Sequence, residues 1–194
     1  SEFQEGDEIQ LWIENSDNED PNRIASTGFT PYRDLVQLRC SLPVQESSLQ
    51  TRIFESGMDD DAFLSVNSRA FAWHPEQGDL NKSSLAELKN EEWFDPEGFL
   101  LHELDGRLAG FCWTKIHKDH RPPLGEIYAI AIDPDYHGIG LGKPMTEAGL
   151  NYLHSKGIST GMLYVESDNI PALRIYEKIG FTRFLTNRAF RYRV

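Results

Sequence analysis

The sequence predicts an α/β (α+β) domain: a mixed central sheet flanked by helices, with an extra strand pair in front of it. Three observations predict this. From residue 49 onward, apolar strands and periodic helical stretches follow in the order β-α-α-β-β-β-α-β-α-β. The strand EIYAIAI (126–132) runs through a glycine-rich turn into a helix. A segment near the N-terminus repeats the later strand–helix–strand unit.

The elements follow from local pattern. IQLWIEN (9–15) is apolar enough for a strand, and TPYRDLVQLRCSL (30–42) alternates through Val36, Leu38 and Cys40. Pro43–Ser48 is a polar linker. A short strand is expected over Leu49–Phe54. Asp59–Asp61 open a helix, because acidic side chains face the positive end of its dipole. Phe63, Val66, Ala70 and Phe71 keep helical spacing, and WHPEQG (73–78) ends it. Ser83 or Ser84 starts a second helix, expected to reach Trp93. GFLLHEL (98–104), Asp105-Gly106 and RLAGFCWTKIH (107–117) form a hairpin signature. After EIYAIAI, a helix is expected from about Gly140 to Lys156, stopped by Gly157. The strand MLYVE (162–166), a helix near 170–178, Gly180 and a last strand close the chain.

The composition narrows the partners. The 194 residues carry 19 Lys and Arg against 31 Asp and Glu, a net charge of −12. Such a surface repels phosphate backbones and anionic lipids but not a cationic amine. Nucleic acid and membrane are therefore not expected as partners. The N-terminus SEFQEGDEIQ lacks the basic and apolar regions of a signal peptide. It does not begin with Met, so upstream residues are expected to be missing. Cys40 and Cys112 stand far apart and read as buried thiols of a cytoplasmic protein.

Residues 11–30 lie over residues 163–182 without a gap. Glu14 falls on Glu166, Leu11-Trp12-Ile13 on Leu163-Tyr164-Val165, and Gly28-Phe29-Thr30 on Gly180-Phe181-Thr182. A duplication predicts that residues 1–43 are the tail of a first domain, 44–48 a linker and 49–194 the catalytic domain. A strand pair in 1–43 would also expose edges that favour a dimer.

The chemistry concentrates in two places. In DPDYHGIGLGKPM, Gly138, Gly140 and Gly142 alternate just before a helix, with Lys143 at the same end. Glycines let backbone approach a ligand, and a helix start offers free N–H groups, so a pyrophosphate fits. The same glycines also suit a loop that only needs flexibility. The G-x-G-x-G spacing, with no acidic residue ending a following strand at the right distance, is not a dinucleotide-binding fingerprint, and Pro144 after Gly142-Lys143 rules out a Walker loop. The second place is YVESDNIPALRIYEKIGF (164–181), where Asn169, Ala172 and Tyr176 fall about one turn apart. Tyr176 could serve as a proton donor or as a core side chain.

Taken together, a strand, a glycine-rich turn, a helix, a strand and N-x-x-A-x-x-x-Y-E-x-x-G-F resemble the GNAT superfamily of acetyltransferases. The resemblance covers residues 49–194 and implies acetyl-CoA as co-substrate. It places the pyrophosphate on His137, Gly138, Ile139, Gly140, Leu141, Gly142 and Lys143. It places the pantetheine on the backbone of Ile130, Ala131 and Ile132, and the CoA arm along Asn169, Ile170, Pro171, Ala172, Leu173 and Arg174. Tyr176 takes the place of the acid that protonates the CoA thiolate. His137 departs from the usual Gln or Arg there. SRAFAWHPEQGDL, WFDPEGFLLHE, GRLAGFCWTKIH and MLYVESDN further resemble the C-terminal half of the mycothiol synthases, a family of tandem GNAT enzymes. That implies transfer of acetyl to the cysteinyl amine of desacetylmycothiol (Cys-GlcN-inositol). The first copy has Ile24 where the second has Tyr176, in keeping with an active C-terminal domain.

Glu126, at the start of the cofactor-contacting strand, is the expected general base, directly or through a water; the alternative is a strand-edge salt bridge. By resemblance the amine substrate meets Glu76, Lys115, Tyr164 and Glu126. Trp113 either stacks on a sugar or fills the core. His117, Asp119 and His120 read as a solvated hairpin loop, His74 reads as structural, and no metal is expected. Two other functions fit the motifs: acetylation of another small amine or a protein N-terminus, and a non-catalytic acetyl-CoA-binding module.

Overall fold

A computed structural model of the chain describes residues 7–16, 23–24, 26–74 and 77–193. Its eight strands form one mixed sheet. They are β1 (Glu8–Ile13), β2 (Thr30–Ser41), β3 (Arg52–Ile53), β4 (Phe99–Leu104), β5 (Arg107–His117), β6 (Leu124–Ile132), β7 (Thr160–Glu166) and β8 (Thr182–Arg193). The spatial order is β1-β8-β2-β7-β6-β5-β4-β3. Helices α1 (Asp60–Ala70) and α2 (Lys82–Lys89) cover one face, while α3 (Gly142–Ser155) and α4 (Ile170–Ile179) cover the other.

Local chemistry explains most boundaries. Asn81 accepts from the Ser83 and Ser84 amides and so caps α2, which starts at Lys82, slightly ahead of the serines expected to start it. That helix stops at Lys89, short of Trp93, and Trp93 packs instead on Trp113 and Tyr128. Of the strand expected over Leu49–Phe54, only Arg52 and Ile53 pair with β4. Gly180 ends α4 at φ 106, a conformation that suits a residue without Cβ.

The two faces differ in filling. Phe54, Phe63, Phe99, Phe111 and Trp113 interlock under α1 and α2, with Phe99 and Trp113 stacked at 4.5 Å. Trp113 is 1% exposed, so of its two readings the structure takes the core and leaves none of it to stack on a sugar. Under α3 and α4 the filling is aliphatic, from Met145, Leu150, Leu153, Ile127 and Leu163. Gly149 lets α3 lie directly on β5: a Cβ there would come within 2.4 Å of Cys112 Sγ.

The N-terminal strands are not an appendage. β2 lies between β7 and β8, antiparallel to both, and β1 pairs with β8 at the sheet edge. The repeat overlays β1 on β7 and β2 on β8, so the order β1-β8-β2-β7 reads the same after exchanging the copies. Gly28, aligned with Gly180, also has a positive φ, 89 against 106. Residues 17–22 and 25, between β1 and Gly28, lie outside the described residues.

Candidate active site

The site begins with a fault in β6. Trp113 pairs with Ala129 but Thr114 pairs with Ile127, so Tyr128 is an extra residue. This is a β-bulge. It puts Tyr128 and Ala129 on the α1/α2 side in succession, while Ile127 and Ile130 face α3 and α4. The parallel ladder between β6 and β7 holds only Gly125–Gly161 and Glu126–Met162. Beyond it the strands splay, and the backbone of residues 127–132 has no ladder partner on that side.

The splay opens a cavity of about 580 Å³. Ile130, Ala131 and Ile132 line it together with His137, Gly138, Gly140, Leu141, Gly142, Asn169, Pro171, Ala172 and Tyr176. Most of the residues assigned to the cofactor thus share one wall. Gly138 and Gly140 take φ of 82 and 90, so the turn needs glycine at both. Gly142 opens α3, and a Cβ there would meet Ile175 at 2.8 Å. The turn and the start of α3 both line the cavity, and a helix start carries unpaired N–H groups and a positive dipole end. His137 Nε2 lies 2.9 Å from the Ile132 carbonyl, which ties the turn to the strand.

Other assigned residues lie elsewhere. Ile139, Lys143, Ile170, Leu173 and Arg174 are not in the cavity wall. Lys143 is held 2.5 Å from the Glu147 carboxylate, so the cation expected at the helix start is already paired. Asn169 caps α4 by accepting from the Ala172 amide.

A second cavity, of about 290 Å³, adjoins the first. Arg33, Leu35, His74, Tyr128, Tyr164 and Glu166 help to line it. Phe71, Trp73, Ile130, Asn169 and Tyr176 border both cavities, so a reacting group can bridge them. β2 builds part of this wall. Arg33 bonds Glu166 Oε1 at 2.7 Å and lies 2.7 Å from His74 Nε2. Gln37 donates to the Tyr164 hydroxyl at 2.6 Å. Sequence patterns did not single out Arg33 or Gln37. A basic and a polar residue on an otherwise alternating strand were the available sign.

Tyr176 is 8% exposed, and burial pushes its phenol well above the ordinary tyrosine range. It is therefore protonated at neutral pH. Glu126 lies one residue outside the lining of the second cavity, with its side chain 11% exposed. Its Oε2 lies 2.7 Å from His117 Nε2. His117 ends β5 at the last residue of the strand expected over 107–117, and its side chain is part-buried against Glu126 where a solvated loop was expected. The sign was cross-strand geometry: His117 sits opposite Leu124, two residues from Glu126 on the same face. Lys115 sits directly opposite Glu126, yet its ammonium lies over Trp93 and Tyr128, 4.5 and 5.5 Å from the ring centres. Glu76 lies outside the described residues. Among the described residues, no helix is long and apolar enough to cross a membrane.

A bulged strand, a splayed partner and a glycine turn at a helix start define the GNAT class of acyltransferases. The sequence profile of the Acetyltransferase (GNAT) family matches residues 66–181, and the chain belongs to that family. The chain is 42% identical to a mycothiol acetyltransferase of Streptomyces griseus subsp. griseus, over 91% of this chain and 59% of that protein. It is 45% identical to one from Acidimicrobium ferrooxidans, over 90% of this chain and 59% of that protein. A GCN5-related N-acetyltransferase from Sphaerobacter thermophilus shares the fold with a TM-score of 0.81 at 19% identity, covering 97% of this chain and 60% of that one. The chain thus spans about three fifths of the length of the relatives it matches.

Proposed function

We propose that this chain is the catalytic part of a mycothiol acetyltransferase, moving acetyl from acetyl-CoA to the cysteinyl amine of desacetylmycothiol. The observation that carries this is the pair of cavities meeting at Ile130, Asn169 and Tyr176. One holds the thioester arm and the other admits the amine. The relatives' names supply the identity of the amine.

The thioester lies along the free edge of β6, where an N–H of the splayed strand meets the acetyl oxygen. Its pyrophosphate rests on the Gly138–Gly142 turn. Glu126 takes a proton from the amine through a water, because its carboxylate stands just outside the cavity wall. The amine attacks the acetyl carbon, the tetrahedral adduct collapses, and Tyr176 protonates the departing thiolate. Lys115, Tyr164 and Glu76 hold the sugar and inositol part. Residues 1–43 are the tail of a first GNAT-like domain of a longer, cytoplasmic protein. The pseudo-symmetric strand order and the partial span of the relatives support that reading.

The test is thiol release from acetyl-CoA with desacetylmycothiol, glucosamine and an N-terminal peptide as competing acceptors. Release with desacetylmycothiol alone is the expected result. Preference for either other amine would overturn the substrate, and failure to bind acetyl-CoA would overturn the site.

A further inference from the structure

The structure assigns His117 a part in catalysis: it is the positioning residue for Glu126, fixing which carboxylate oxygen is left to act as base. This rests on the reading of Glu126 as the base.

Among the described residues, His117 is the one side chain hydrogen-bonded to Glu126, at 2.7 Å to Oε2. A carboxylate only accepts, so His117 Nε2 carries the proton and donates it. That occupies Oε2 and leaves the Oε1 lone pairs for an incoming proton. Lys115, the residue nearest in register, is diverted to Trp93 and Tyr128 and does not compete for the carboxylate.

The geometry also explains why such a tether is needed. Glu126 stands at the last rung of the β6–β7 ladder, immediately before the bulge. Its neighbours across the ladders are Lys115 and Met162, and neither holds its carboxylate. Without His117 the side chain would be free to swing among rotamers at the edge of the cleft. A base displaced by about 1 Å from its acceptor geometry costs on the order of a hundredfold in rate. His117 is 21% exposed and packs edge-on to His120 at 6.0 Å.

The experiment compares His117→Phe, His117→Gln and Glu126→Gln in the acetyl-transfer assay, with acetyl-CoA binding and thermal midpoint measured for each. The Phe variant fills the space without a donor. The Gln variant places an amide N–H near the position of Nε2. The expected result is a kcat about tenfold or more below the parent for His117→Phe, with acetyl-CoA binding unchanged, and recovery of most of that loss in His117→Gln. A merely structural role would not divide the two variants in this way. If His117→Phe does not fold, His117→Ala with added imidazole takes its place, and rescue of the rate is expected. An unchanged kcat in His117→Phe, equal losses in the Phe and Gln variants, or no rescue by imidazole would overturn the assignment. A Glu126→Gln variant that keeps its rate would overturn the base itself, whereas loss there with an active His117→Phe would overturn only the positioning.

Discussion

Tyr176 borders both cavities, and its phenol, raised further by burial, is neutral as any tyrosine is at pH 7. A proton held there at neutral pH can be given to a thiolate that forms beside it. Tyr176→Phe removes the proton but keeps the ring that packs on Phe181 at 5.7 Å. It is expected to lower kcat about a hundredfold with little change in acetyl-CoA affinity or thermal midpoint. Glu126→Gln should match it in kcat; steady-state thiol release checks both. Both residues stood out in the sequence, Tyr176 within a motif and Glu126 at the start of the strand that precedes the glycine turn. The His117 contact did not, since it depends on cross-strand register and on a bulge that single-strand patterns do not reveal.

The turn and α3 act as one element. Gly140 lies in open space at φ 90, so a side chain there would meet no neighbour but would strain the backbone. Gly140→Val is expected to weaken acetyl-CoA binding about tenfold or more by moving the N–H groups of the turn, as calorimetry would show. Gly149 is the opposite case. Its conformation is ordinary helix, but a Cβ would press on Cys112 and Ile127. Gly149→Ala should lower stability by about 1–3 kcal/mol, read from denaturant midpoints, with acetyl-CoA contacts intact. The glycines of the turn were visible as a pattern. Gly149 was not, because nothing local distinguishes a helix glycine pressed on a sheet from one facing water.

At the scale of the molecule, β2 decides the integrity of the sheet. Removing residues 1–43 would leave both β7 and β8 with an unpaired edge. The remaining 44–194 is expected to aggregate or self-associate, which size-exclusion chromatography would reveal, and to lose the wall made by Arg33 and Leu35. A monomeric, active 44–194 would contradict this. Alkaline pH attacks the fold as a whole. Burial pushes the Cys40 thiol up to about 12 from 9.0, and the Cys112 thiol and the Tyr128 and Tyr176 phenols also upward. These groups are neutral when folded and ionise earlier when unfolded. Their contribution is complete below the free thiol's value and is lost as pH climbs toward the folded ones. The thermal midpoint should hold through neutral pH and fall above about pH 9, as a calorimetric pH series would test.

The sequence by itself determined the element order from β3 to β8, the glycine turn that opens α3, and the family. Each is local: a periodicity, a glycine spacing or a motif contained in adjacent residues. Only the tertiary structure decided that β2 enters the sheet between β7 and β8, that Lys143 is spent on Glu147, that Trp113 belongs to the core and that His117 meets Glu126. Those outcomes depend on which strands become neighbours and in what register. Pairing over such sequence distances is set by the burial of whole faces, a quantity no short stretch of residues encodes.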